Sequence, residues 1–275
     1  MIKINTRKRI LIATSLLAFL FIVLLRFDFR LILGFKMSID PVKPIILSSI
    51  TYILTIWVLH FKVSGERFVT ILLFPTISVF AQTLLWEILI SGIFGNYGLV
   101  VVLILSAGSF WLMTYITLLT VNVLNVSYLR EIPLGQAGRA AQFMLTLIIA
   151  YISFFLVFSN DIYLVFKELF ILFQTFLLVY IALWTIKMSK RQRIIASMNI
   201  SVLISFMAFI LSLWPINSTY IALVLILMFY ICLGIALEIR EIIDKWIWVE
   251  YFAILILIFF SLFLMGEWGI NGHLL

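Results

Sequence analysis

The sequence predicts an all-α, polytopic transmembrane helical bundle of about nine spans with a cytoplasmic N-terminus, and three observations carry that expectation. The composition is 65% hydrophobic and 11% charged, with a mean hydropathy of +1.26. Ordinary globular domains are about 45–50% apolar and about 25% charged, so a water-facing surface cannot be assembled from what remains. The charge that exists is gathered into short runs between apolar blocks. Those blocks recur at the length a bilayer requires, about 20 residues.

The first block follows Lys3, Arg7, Lys8 and Arg9 and opens at Ile10. It resembles a signal sequence, but Leu24-Leu25-Arg26-Phe27-Asp28 offers no small-residue cleavage site, so it reads as an uncleaved anchor. Spans are expected at roughly 10–30, 42–60, 68–91, 98–121, 140–158, 166–186, 195–214, 219–238 and 247–266, forming one integral membrane domain. Helix is required, because backbone groups in hydrocarbon must be satisfied within the segment and these runs are too long for barrel strands. Ser159-Asn160-Asp161 and Pro215-Ile216-Asn217-Ser218 are short enough to make antiparallel hairpins of the fifth with the sixth span and the seventh with the eighth. Pro75 and the Ser106-Ala107-Gly108-Ser109 cluster are expected kinks. No internal repeat is visible, and an odd span count argues against a two-fold duplication.

Orientation follows from the cations. With the N-terminus inside, fourteen of the 19 Lys and Arg residues fall on inner segments and five on outer ones, as the positive-inside rule requires. Seven of the eight tryptophans lie near expected span ends, with Trp111 alone in mid-span; interfaces favour that amphipathic ring. The first outer loop is the exception, carrying Arg26, Arg30, Lys36 and Lys43. These cations are expected to snorkel, to pair with Asp28 and Asp40, or to meet anionic headgroups. The net charge of +7 does not point to nucleic acid, since the basic residues are dispersed over several short loops. Membrane lipids, and other membrane proteins, are the expected partners, and the compact loops suit a bacterial cytoplasmic membrane.

The segment from Asn122 to Arg139 reads as the most informative inner loop. Pro133 can end one helix and begin another. Gly135 and Gly138 permit close backbone approach, and the turn that follows could present N–H groups to an anion beside Arg130 and Arg139. The competing reading is a re-entry loop whose glycines pack and whose arginines sit among headgroups; it is the stronger one, because the spacing matches no phosphate-loop motif.

Glu87 is an intramembrane carboxylate close to the expected outer end of the third span, with Thr83 one turn away and no charged partner in its own span. Glu250 is expected in the first turn of the ninth span, where the helix dipole favours it. Gln174, Asn199 and Gln142 form the thin set of deep amides, suited to binding helix to helix. Ser197, Ser201 and Ser205 recur every four residues and mark a close-packing face.

Metal and nucleophile chemistry finds no support. His60 and His273 are expected on opposite sides of the membrane, Cys232 is a lone buried thiol, and no metal or cofactor motif is present. Asn125-Val-Ser127 and Asn217-Ser-Thr219 match glycosylation acceptors without a suitable loop. Glu238 to Lys245 suits a short interfacial turn. The expected role is a non-catalytic membrane subunit or scaffold. The alternatives are a transporter or lipid-handling protein, and a transferase acting on a lipid-linked substrate at the outer face. For the last, the loop bearing Asp28 and Asp40 beside Arg26, Arg30 and Lys36 resembles, over that short stretch, the first outer loop of membrane glycosyltransferases that use polyprenyl-phosphate donors. The resemblance implies a catalytic acid at Asp28 or Asp40 with the cations holding phosphate. A charged loop pairing with itself and with headgroups is the simpler reading.

Overall fold

The computed structural model describes residues 5–27, 42–59, 66–92, 99–129, 134–160, 163–186, 188–214, 216–238 and 245–265. Within them the chain is all-helical: α1 (Thr6–Leu25), α2 (Val42–Val58), α3 (Glu66–Gly92), α4 (Leu99–Leu129), α5 (Leu134–Phe158), α6 (Leu164–Leu183), α7 (Lys190–Ser212), α8 (Ser218–Glu238) and α9 (Lys245–Met265). Seven of these contain an apolar stretch long enough to cross a membrane. At 17 residues α2 is shorter, about 25 Å at 1.5 Å per residue and at the lower limit for a span. The molecule is an integral membrane helical bundle.

The ends differ from expectation most around the fourth and fifth helices. The expected loop from Asn122 to Arg139 is mostly helix, since α4 continues to Leu129 and α5 starts at Leu134. Hydropathy falls where the hydrocarbon ends, but a helix stops only where its hydrogen bonding does, and nothing before Pro133 forbids the next turn. At α7 the helix begins five residues ahead of the expected 195, at Lys190, because Ser189 and Gln192 form a reciprocal capping box. Asn217 caps α8, its Oδ1 accepting the Thr219 N–H at 3.2 Å, which gives the glycosylation-like tripeptide a structural role. Pro75 lies inside the unbroken α3.

The chain divides into two compact units, Met1–Leu145 and Thr146–Leu275. In the first, α2 packs extensively on α3, and α1 packs on both α2 and α4. Its apolar core joins Leu17, Phe21, Leu47, Val79 and Phe110, with the Phe21 and Phe110 rings stacked at 4.4 Å. Trp111, the mid-span tryptophan, lies 3.3 Å through its Nε1 from the Ser15 hydroxyl of α1, so its polar edge has a partner within the bundle. Gly138 packs tightly on α4, where a Cβ would meet Val123 and Leu124 at 3.0 and 3.2 Å, and one at Gly135 would meet Ser127 at 3.2 Å. At Gly108 the corresponding space is open.

In the second unit α6 and α7 form the most extensive helix pair. Ser197 and Ser201 are fully buried and Ser205 nearly so, so the expected small-residue face is the one α7 turns inward. Asn199, expected among the deep amides, is instead exposed; it lies two residues from Ser197 and Ser201, on the other side of the helix. At the α8–α9 crossing a Cβ on Gly234 would meet the Tyr251 hydroxyl, so any larger residue there requires the Tyr251 ring end to shift.

Candidate functional site

Most buried hydroxyls are consumed locally. Thr14, Thr51, Thr55, Thr83, Ser153 and Ser197 each donate to the carbonyl four residues back, which satisfies them inside their own helix and leaves their outer surfaces apolar. Thr83, expected to serve Glu87, donates to Val79 instead at 2.7 Å. The polar groups that remain for interhelical work include a carboxyl group in each unit that meets the neighbouring helix.

In the first unit Lys43 and Glu87 meet across α2 and α3, Nζ to Oε1 at 3.3 Å. Both are buried, at 6% and 8% exposure. This corrects the expectation for Lys43, which was grouped with the headgroup cations of the first outer loop. It is the second residue of α2 and is buried against α3. Glu87 has no charged partner in its own span because its partner comes from the preceding helix. Two isolated charges in hydrocarbon are prohibitive, while a paired one is tolerable, and that is why the two helices must sit in this register. Elsewhere on α3, Gln82 donates to the Ser78 hydroxyl at 3.0 Å, and Ser78 lies 3.4 Å from Thr117 of α4, which joins α3 to α4.

In the second unit Ser205 of α7 is within 2.9 Å of Glu168 Oε2 and 3.3 Å of the Glu168 carbonyl on α6. The other carboxyl oxygen, Oε1, is shielded and has no hydrogen-bond partner among the described residues. Sequence reasoning missed Glu168. It stands close to the start of α6, where a carboxylate reads as interfacial, and the signal that could have found it is Ser205 at the end of the serine ladder. Gln174, expected to join helices, donates through Nε2 to Ser153 Oγ of α5.

Each unit also sets a guanidinium against an aromatic ring, half-buried at Arg9 of α1 and buried at Arg193 of α7. Arg9 lies 5.2 Å from the Trp57 ring and donates to the Trp57 carbonyl at 3.0 Å. Arg193 lies 5.2 Å from the Tyr180 ring and is 6% exposed. Such contacts desolvate the charge only partly and gain from the ring quadrupole. Glu250, expected in a first turn, lies in the second turn of α9 and accepts from the Tyr230 hydroxyl at 2.9 Å. An open apolar groove between α8 and α9 is lined by Ile231, Ile235, Val249, Tyr251, Phe252 and Leu255.

Among the remaining sequence candidates, Gly135 and Gly138 are used in α4–α5 packing and Arg139 is exposed in the second turn of α5. Arg130, Asp28 and Asp40 lie outside the described residues, as do both histidines. Among the described residues no cluster of three or more His, Cys, Asp or Glu could hold a metal. No family model, curated protein or solved structure matches this chain.

Proposed function

We propose that this chain is a non-catalytic membrane subunit or scaffold of the bacterial cytoplasmic membrane, its N-terminus inside, which binds membrane lipids and other membrane proteins. One observation carries the reading: the polar side chains not satisfied within their own helix join one helix to another, as in buried Lys43 with Glu87, buried Gln174 with Ser153, and half-buried Glu168 with Ser205. Groups used in this way specify which helices pair and in what register. The wide apolar faces, such as Val165, Phe166, Leu169 and Phe173 on α6, supply surface for lipid and for neighbouring spans.

Purification in mild detergent, with mass spectrometry of what accompanies the chain, tests the role. A stoichiometric membrane-protein partner is the expected result, and a clean monomer free of protein overturns the subunit reading. Orientation has its own test: a reporter fused after Leu275 is expected on the extracytoplasmic side, and a cytoplasmic signal overturns the nine-span topology. A second reading, a lipid-handling protein, draws on the apolar groove between α8 and α9, whose lining suits an acyl chain. Retention of one defined lipid that is lost in Ile235→Trp would favour it.

A further inference from the structure

The hydrogen-bond geometry around Glu168 points to a proton-binding site between α6 and α7: we infer that Glu168 occupies the seam as a neutral carboxylic acid. Ser205 Oγ stands 2.9 Å from Glu168 Oε2 and 3.3 Å from the Glu168 carbonyl. A serine hydroxyl has one proton to donate and two lone pairs to accept with. If Glu168 were ionised, that single proton would have to serve two acceptors. With Glu168 neutral, the acid O–H donates to Ser205 Oγ, and Ser205 in turn donates to the backbone carbonyl, so every donor in the ring is used. Oε1, shielded and without a hydrogen-bond partner among the described residues, is then the carbonyl oxygen of an acid. An uncharged acceptor left without a donor costs far less than half of a carboxylate in the same place.

Among the described residues, the charged groups of the second unit supply no alternative. On α7, Lys190, Arg191 and Arg193 occupy the first turn, at the other end of the helix from Ser205. Glu238 is the last residue of α8. Tyr220 lies in the first turn of α8. The adjacent Lys167 is turned onto the Phe158 ring, 5.7 Å from its centroid. Glu168 itself is in the second turn of α6, beyond the first turn in which the helix dipole most favours an anion.

The experiment is infrared spectroscopy of the full-length chain in lipid nanodiscs at neutral pH, comparing wild type with Glu168→Gln. The carbonyl stretch of a neutral carboxyl is separate from the carboxylate bands. The expected difference spectrum loses one neutral-carboxyl band, which moves in heavy water, and leaves the carboxylate bands unchanged. Loss of a carboxylate band in its place overturns the proposal. Should Glu168→Gln fail to fold, Ser205→Ala is read in the same region. Removing the hydrogen bond shifts the neutral-carboxyl band to higher frequency if the acid is protonated, and no shift there overturns it.

Discussion

The α2–α3 and α6–α7 seams solve one problem in two ways. Each holds a carboxyl group against the neighbouring helix, buried at Glu87 and half-buried at Glu168. The first brings a cation to it, at 3.3 Å; the second brings only a serine hydroxyl, at 2.9 Å. The surroundings differ accordingly. Around Glu87 the helices carry bulky side chains such as Leu47 and Val79, and the ion pair sets the register. Around Glu168 the facing helix offers a serine every four residues, and close backbone approach sets it. One seam is specified by charge and the other by shape, so they should fail to different substitutions.

The largest effect is expected from Lys43→Met, which leaves Glu87 without its salt-bridge partner and should cost about 3–5 kcal/mol. The double variant Lys43→Met, Glu87→Leu should recover most of that loss, since replacing a buried pair by apolar residues is often neutral. Thermal unfolding in detergent checks both, and a double variant no more stable than the single would remove charge as the organising feature of this seam. Ser201→Leu comes next: the added volume must part α6 from α7, at about 1–3 kcal/mol. The same measurement reads it, and an unchanged midpoint would show that the seam is not shape-limited. Gly234→Ala should cost less, about 0.5–1.5 kcal/mol, because the Tyr251 ring end must shift, and be partly relieved by Tyr251→Phe, which removes the nearest atom. The smallest effect belongs to the ring contacts. Arg9→Lys should lose about 0.5–1 kcal/mol, and Arg193→Lys slightly less, because tyrosine is a weaker partner than tryptophan.

What could be read from the sequence divides along the same line. The nine helices among the described residues fall on the expected spans, because span length and hydrophobicity are set by the bilayer and need no knowledge of neighbours. The serine face of α7 was legible too, as its four-residue spacing is local. The partner of Glu87 was not: Lys43 is 44 positions away, and only tertiary packing brings it within reach. Glu168 escaped notice for the opposite reason, since nothing local distinguishes a carboxylate at an interface from one shielded by the next helix. The C-terminal end of α4 and the N-terminal end of α5 were misjudged because hydropathy measures the hydrocarbon and not the helix. Asn122 and Asn125 lie past the apolar core yet continue the same hydrogen-bonded ladder.

The capping box of α7 has a consequence for how the chain is made. Lys190, Arg191 and Arg193 follow Ser189 directly, so three cations crowd the end of a helix whose own dipole repels them, each at about 0.3–1 kcal/mol when exposed. α1 opens in the same way with Arg7, Lys8 and Arg9. A sequence selected only for the folded bundle would put acids there. Under the proposed orientation such a cluster, held on the cytoplasmic side during insertion, fixes which way the following helix threads. The Ser189–Gln192 cap and the Arg193–Tyr180 ring contact then hold together a helix start whose charges the dipole alone disfavours.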